Sequence, residues 1–424
     1  MHASDCVTRP SARVVVTGIG LATGLGPTRE TTWAAIRSGR GAARRLDFPR
    51  DARPYLGCPS ALADALRRED DPREPALVLL GRLTAEALAD ARLAGRPYDP
   101  ARAAVLVGLS KGGMRSLGRL HRMVHDPEAD PAAVAALWQA VAPSAGAGLV
   151  AREAGFEGPC LAPIAACATG LVAVLQGVDL IRRGACEVAL AGSADAALEP
   201  LVLAAFRRMK VLAHDDEPAR AVRPWDRSRS GFLVGEGGAL LVLERADRAG
   251  RRGVIPYAEI AGGALGADAH HETDLNPDPA GLAHVIRRAL AHSGVRPDEI
   301  DHVNVHGTAT RANDPTECRA LRLALGAAAD RVACSANKAQ IGHLLGAAGA
   351  AELAIACLSL RDGFVPPTLN LTNPDPACDL DATPLVGRSR PIRAALKLSI
   401  GFGGHLAAAV LRIIEGGRPP THDD

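Results

Sequence analysis

Two kinds of apolar pattern alternate along the chain. Short unbroken runs, rich in Val, Ile, Leu and Ala, occur at residues 13–18, 103–107, 160–165, 187–193, 300–305 and 332–335. Such runs predict strands buried on both faces, as in a largely parallel sheet, the first of them closed by Gly18 and Gly20. Between them lie longer stretches with apolar positions three and four apart. These include residues 76–93, residues 131–153 and the run through Leu171, Val174, Leu175, Val178 and Ile181. That spacing puts the apolar side chains on one helical face. Strands alternating with helices predict an α/β fold. Residues 42–73, rich in Arg, Asp and Pro, read as a surface excursion. Residues 245–253 are the most charged and turn-rich linker, so a boundary is expected there.

The second half repeats the plan of the first. Gly235-Glu236-Gly237-Gly238-Ala239-Leu240 matches Gly401-Phe402-Gly403-Gly404-His405-Leu406, each before a final strand. The strand, small-residue turn and helix around Cys167 match those over residues 338–349, and both helices end on an Arg shortly before a Gly. The predicted units are residues 1–253 and 254–424. A duplicated α/β unit sets equivalent strand ends side by side, so residues remote in sequence can share one site.

Composition narrows the function. The 424 residues are 47% hydrophobic, enough for a large core. A formal net charge of +2, 3% aromatics and no basic run with interleaved aromatics argue against nucleic acid. Nine scattered cysteines without a C-x-x-C pair argue against a disulfide framework or a structural zinc site. They favour a reducing compartment, and a cytoplasmic location is expected. Residues 1–13 hold no apolar core of a signal peptide. The longest apolar stretch, residues 344–360, is interrupted by Glu352 and reads as a core helix, so no membrane span is expected. Residues 18–23 lack the third glycine of a dinucleotide fingerprint.

The chemistry gathers at strand ends. Cys167 closes an apolar run just before a helix, where unpaired N–H groups favour a thiolate. Alone it reads as a buried structural cysteine. His306, His343 and Lys338, each unremarkable singly, lie at the matching edge of the second half. Four reactive residues at equivalent edges point to one site.

These residues stand in motifs that resemble the β-ketoacyl-acyl-carrier-protein synthases, the type II condensing enzymes of fatty acid and polyketide synthesis. The motifs are Ala166-Cys167-Ala168-Thr169-Gly170, Arg223-Pro224-Trp225-Asp226 with Gly231-Phe232, and Val305-His306-Gly307-Thr308-Ala309-Thr310 with Asn313-Asp314. Asn337-Lys338 with the run from Gly342-His343 to Gly349, and Gly401-Phe402-Gly403-Gly404, complete the set. The resemblance spans nearly the whole chain. It implies a thiolase fold, with two α-β-α-β-α-β-β halves in a five-layered αβαβα core. It implies a decarboxylative condensation in which Cys167 accepts an acyl chain and malonyl thioester loses carbon dioxide against His306 and His343. Lys338 then supports the histidines, with Glu352 as its ion partner. Cys167 and Phe402 supply the oxyanion-hole N–H groups, Phe402 gates the acyl pocket, and Thr308 and Thr310 bind the phosphopantetheine arm. No resident cofactor or metal is implied, since phosphopantetheine arrives on the acyl carrier protein. A homodimer is the expected assembly, with a heterodimer of related subunits as the alternative.

Some positions depart from the pattern. Lys111 stands in a loop where elongating relatives carry apolar or small residues, and His405 follows Gly404 where Thr is usual. Both are candidates for shaping the acyl pocket. Lys111 could reach solvent, pair with an acid or bind a polar acyl chain. The basic edge Arg207, Arg208 and Lys210 suits docking of an acidic carrier protein, or is an ordinary solvated face. Rival readings are a decarboxylase or acyltransferase without extension, a non-elongating partner resembling chain-length factors, and a thiolase. Cys167 with two histidines argues against the last two.

Overall fold

The first strand outruns its β-branched residues. In the computed structural model, which describes residues 12–46, 48, 54–68, 71–93, 95 and 97–414, β1 spans Val14–Ala22 and passes through two glycines expected to end it. Those glycines let the helix Pro75–Asp90 lie directly on the strand. A Cβ at Gly18 would fall 2.3 Å from the Ala87 carbonyl oxygen, and one at Gly20 would fall 2.2 Å from that of Leu83. Most of residues 1–13 and parts of 42–73 lie outside the described residues.

The remaining strands of the main sheet are β2 (Ala103–Gly108), β3 (Cys160–Leu161), β4 (Val188–Asp195), β5 (Gly237–Arg245) and β6 (Ala258–Ala267). They continue with β7 (His302–Asn304), β8 (Ala333–Ser335), β9 (Ala394–Gly401) and β10 (His405–Arg412). Their order is β8-β7-β9-β10-β6-β1-β5-β4-β2-β3. Read outward from the centre, β6-β10-β9-β7-β8 has the same order of equivalents as β1-β5-β4-β2-β3. The pairings match as well. The outer pairs are parallel and the inner ones antiparallel. The halves meet where Val15 and Val16 pair with Glu259 and Ala258.

Alternation along the strands makes the layers. Val105, Val107, Leu190 and Val242 face the helices Pro75–Asp90 and Ala145–Ala154. Their neighbours Leu106, Ala189, Leu241 and Leu243 face a central pair of helices, Thr169–Arg182 and Ala348–Asp362. On the other side of that pair, Ala395, Ala407 and Leu411 turn inward. Leu396, Leu398 and Val410 turn out toward Ala280–Ser293 and Asn313–Leu325. The result is the five-layered thiolase fold. Leu353, Ile355 and Leu358 of the central pair are 0% exposed, each stabilising by about 1.5–3 kcal/mol. This core helix is the long apolar stretch of the sequence. Among the described residues no single helix is long and apolar enough to cross a membrane.

The central helices approach unusually closely. A Cβ at Gly170 would fall 2.7 Å from the Ala350 nitrogen, and one at Gly349 would fall 2.7 Å from that of Leu171. The turns that open them also correspond, with Ala166 at φ +45° and Leu345 at φ +50°. Cys167 in one half is therefore matched by Gly346 in the other.

Two expectations need revision. Residues 160–165 form only a two-residue strand, because β3 is an exposed edge and Pro163 has no N–H to extend the ladder. The charged stretch 245–253 is no open linker. It holds a helix, Ala246–Arg251, and Arg252 bonds the Glu244 carboxylate at 2.8 Å. Residues 131–153 are largely helical as expected, in two helices, Pro131–Val141 and Ala145–Ala154, bent by 94°.

Candidate active site

Cys167 lies in a single 3-10 turn, Ala166–Ala168, at the head of the helix Thr169–Arg182. Thr169 fixes the turn. Its Oγ1 accepts the Ala165 N–H at 2.9 Å and donates to the Ala166 carbonyl at 2.8 Å. Small residues here admit the end of β9. A Cβ at Gly401 would fall 2.7 Å from the Ala165 oxygen and 3.1 Å from the Cys167 nitrogen. The neighbouring Phe402 N–H then donates to the Cys167 sulfur. Burial pushes the thiol up. The charges of Lys111 and Lys338 and the Phe402 N–H draw it back toward the thiolate.

His306 follows β7 in a loop anchored by two acids of the helix Asn313–Leu325. Glu317 accepts the N–H groups of His306 at 2.5 Å and Gly307 at 2.9 Å. Asp314 accepts those of Ala309 at 3.1 Å and Trp225 at 2.9 Å. Arg229 ties this loop to its surroundings through the Thr310 carbonyl at 3.0 Å and Asp375 at 2.6 Å. Thr308 and Thr310 bond each other at 2.9 Å.

His343 follows the short helix Lys338–Ile341, and its ring lies 5.4 Å from that of His306, near perpendicular at 81°. The Leu345 N–H donates to His343 Nδ1 at 3.2 Å. Lys338 Nζ lies 3.3 Å from His306 Nδ1. Backbone amides and ammonium groups only donate, so both Nδ1 atoms accept and both imidazoles carry their proton on Nε2. Burial, reinforced by the Lys338 charge, holds both imidazoles well below the ordinary histidine range and so neutral.

Lys338 sits behind His306, 0% exposed. Its Nζ donates to Glu352 Oε1 at 2.6 Å and to the His306 carbonyl. A second buried amine, Lys397 of β9, donates to Glu352 Oε2 at 2.6 Å.

A cavity of about 120 Å³ joins these parts. Cys167, His306, His343, Thr308, Thr310 and Phe402 line it, with Phe206, Phe232 and Ile400 as apolar walls. Lys338 and Glu352 stand outside that lining and reach it through His306. Lys111 is half-buried and outside the lining too. It makes no hydrogen bond or ion pair among the described residues, though its charge acts on Cys167, His343 and Asp195. His405 is exposed and does not line the cavity. Arg207, Arg208 and Lys210 are exposed on the helix Pro200–Arg208 and just beyond it, with Arg207 stacked over the Tyr55 ring at 3.5 Å.

Sequence reasoning passed over Glu317, Lys397 and the pair Ser110–Asp195. Ser110 donates to Asp195 at 2.9 Å and accepts the Gly346 N–H at 3.2 Å, tying the Lys111 loop to the turn opposite Cys167. Burial pushes Asp195 up to about 6. A signal existed for Lys397. A charge inside an apolar strand is costly unless paired, so it implies a buried partner.

Comparison with known proteins gives concordant matches. The model of the beta-ketoacyl synthase N-terminal domain matches residues 11–249, and that of the C-terminal domain matches residues 257–372. An oxytetracycline polyketide putative beta-ketoacyl synthase 1 from Streptomyces rimosus is 39% identical over 416 residues, covering 94% of this chain and 96% of the relative. A 3-oxoacyl-[acyl-carrier-protein] synthase 2 from Synechocystis is 35% identical over 400 residues, covering 93% and 96%. Among solved structures, a type II polyketide ketosynthase in complex with its acyl-carrier protein superposes with TM-score 0.89 at 29% identity, covering 96% of this chain and 100% of that one. The ishigamide ketosynthase/chain length factor superposes with TM-score 0.86 at 31% identity, covering 96% and 100%.

Proposed function

Because the chain belongs to the beta-ketoacyl synthase family and is a condensing enzyme of the 3-oxoacyl-[acyl-carrier-protein] synthase type, we propose that its reaction runs between Cys167, His306 and His343. The observation that carries this reading is the single cavity into which one thiol and two neutral imidazoles converge.

In the first half-reaction the Cys167 thiolate attacks an acyl thioester, and the carrier thiol leaves. Lys111 and the start of the helix Thr169–Arg182 favour the thiolate against the effect of burial. The N–H groups of Cys167 and Phe402 receive the oxyanion. In the second, malonyl thioester enters with its arm along Thr308 and Thr310. Its carboxylate leaves as carbon dioxide, and the electron pair moves onto the thioester oxygen, which His306 and His343 bond through Nε2–H. An imidazolium would pair with the malonyl carboxylate and hold it back. Neutral donors answer only the charge that develops on the oxygen. The enolate carbon then attacks the acyl carbonyl on Cys167, and the tetrahedral adduct expels the thiolate, leaving a 3-oxoacyl thioester. These steps need no resident cofactor or metal.

The partner in this reading is an acyl carrier protein, docked on the face carrying Arg207, Arg208 and Lys210. One solved relative is a ketosynthase with such a protein, which supports the reading. A second copy of the chain pairs along the open edge of β3, where Leu161 and Ile164 are 44% and 51% exposed.

Incubation with acyl- and malonyl-carrier protein, followed by intact-mass analysis, tests the proposal. An acyl group on Cys167 and a 3-oxoacyl product are expected. Product formed equally well by Cys167→Ala would overturn it.

A further inference from the structure

We propose that Lys397 is a positioning residue for decarboxylation, occupying one oxygen of Glu352 so that the Lys338 ammonium remains available to His306. The inference rests on the condensing chemistry proposed above.

Lys397 is one of the largest wholly buried side chains in the protein, at 0% exposure. It sits in β9 opposite Asn304 of β7 and Ala409 of β10, in a strand otherwise made of Ala, Leu, Ser, Ile and Gly. Its Nζ donates to Glu352 Oε2 at 2.6 Å and to the Leu398 carbonyl. Lys338 Nζ donates to the other oxygen of the same carboxylate, also at 2.6 Å. One anion therefore serves two cations, and the trio carries a net positive charge behind the reacting imidazole. Without Lys397 the Glu352 carboxylate would belong to Lys338 alone, and the pair would be neutral.

Burying an unbalanced charge is costly, and a carboxylate with a single lysine would satisfy packing more cheaply. The excess charge has a direction. Lys338 reaches the His306 carbonyl and Nδ1, the atom that must accept for Nε2–H to face the reacting oxygen. The charged and titratable groups that act on Lys397, or are acted on by it, are Glu352, Lys338, Glu317, His302, His306 and His343. Burial brings Lys397 down to about 8, with the Lys338 charge adding to the fall and Glu352 opposing it. Lys397 is thus charged at neutral pH and loses its proton just above it. The thiol of Cys167 is raised and titrates higher.

The test is malonyl-thioester decarboxylation by the full chain without an acyl primer, followed from pH 6 to 9.5. The wild-type protein is expected to lose rate with a midpoint near 8. Lys397→Met should lower kcat at pH 7 about tenfold at unchanged KM and abolish that alkaline limb. Added ethylammonium should restore Lys397→Ala at least threefold. A folded Lys397→Met with wild-type rate and limb would overturn the inference. So would a variant that loses rate while keeping the wild-type limb, with no rescue, which marks a packing role. If neither variant folds, a wild-type profile flat between pH 7 and 9 overturns it. Wild-type protein that releases no carbon dioxide at any pH removes the underlying reading as well.

Discussion

Lys338 Nζ stands 3.3 Å from Nδ1 of His306, and this contact decides which ring nitrogen carries the proton. Without that donor the imidazole is free to take its other tautomer and present a lone pair to the enolate. Lys338→Met is expected to slow malonyl decarboxylation by about a hundredfold, the scale of a lost oxyanion donor. Glu352 keeps Lys397 as its partner, so the fold should survive. Acyl transfer onto Cys167 should fall much less, because His306 does not bond the acyl carbonyl in that step. Carbon dioxide release and intact mass read the two steps separately. Equal losses in both would argue against a role confined to the histidine.

Glu317 gives a pH test of the loop that carries His306. Burial raises its carboxyl from 4.5 to about 7, outweighing the backbone N–H groups of Gly307 and His306 that favour the anion. The unfolded chain loses this proton near 4.5, and the folded chain holds it until about 7. Stability contributed by this residue is therefore fully present below the lower value and declines as pH rises through the window. Glu317→Gln cannot titrate. The free-energy difference between wild type and variant should shift against wild type by about 3 kcal/mol across the window, from the size of the pKa change. Denaturant unfolding at pH 4.5 and 7.5 measures it. A constant difference would mean that Glu317 ionises normally in the fold.

The exposed basic residues carry a prediction about the partner. Arg207 is held over Tyr55, which leaves Arg208 and Lys210 as the freer charges. The double substitution Arg208→Glu with Lys210→Glu should raise KM for an acyl carrier protein substrate about tenfold, chiefly through a slower, salt-sensitive encounter. A short pantetheine-like thioester should react as with wild type. If both substrates suffer alike, the helix matters for the pocket, through Phe206, rather than for docking.

Patterning made the fold legible because most strands of this sheet are buried on both faces, the edge strand β3 excepted, and each central helix is apolar nearly all round. Unbroken runs then mark strands, and the repeat of turn and helix marks the duplication. Boundaries were harder. Gly18 and Gly20 read as strand terminators, yet they serve a helix crossing that no local pattern encodes. At the site, Cys167, His306, His343 and Lys338 stood out because their motifs are local. Glu317 and Lys397 did not. Glu317 serves backbone N–H groups eleven and ten residues earlier, and Lys397 meets Glu352 across 45 positions, so their roles exist only once the second half has folded on itself. Lys111 shows the converse. The sequence marks it as unusual, and the structure keeps it outside the cavity lining while bringing its charge to bear on Cys167.

The matched turns at Ala166 and Leu345 have a consequence for stoichiometry. In one repeat the position after the left-handed residue bears the thiol. In the other it is Gly346, where even a Cβ would fall 2.4 Å from that of Ser110 and 2.8 Å from an Asp195 oxygen. The space that a second nucleophile would need is filled by the Ser110–Asp195 pair. Duplication has therefore left one seat and one wall. In the reaction proposed above each chain would then carry one acyl group at a time, and the symmetry of the scaffold is spent on aiming the histidines of one repeat at the sulfur of the other.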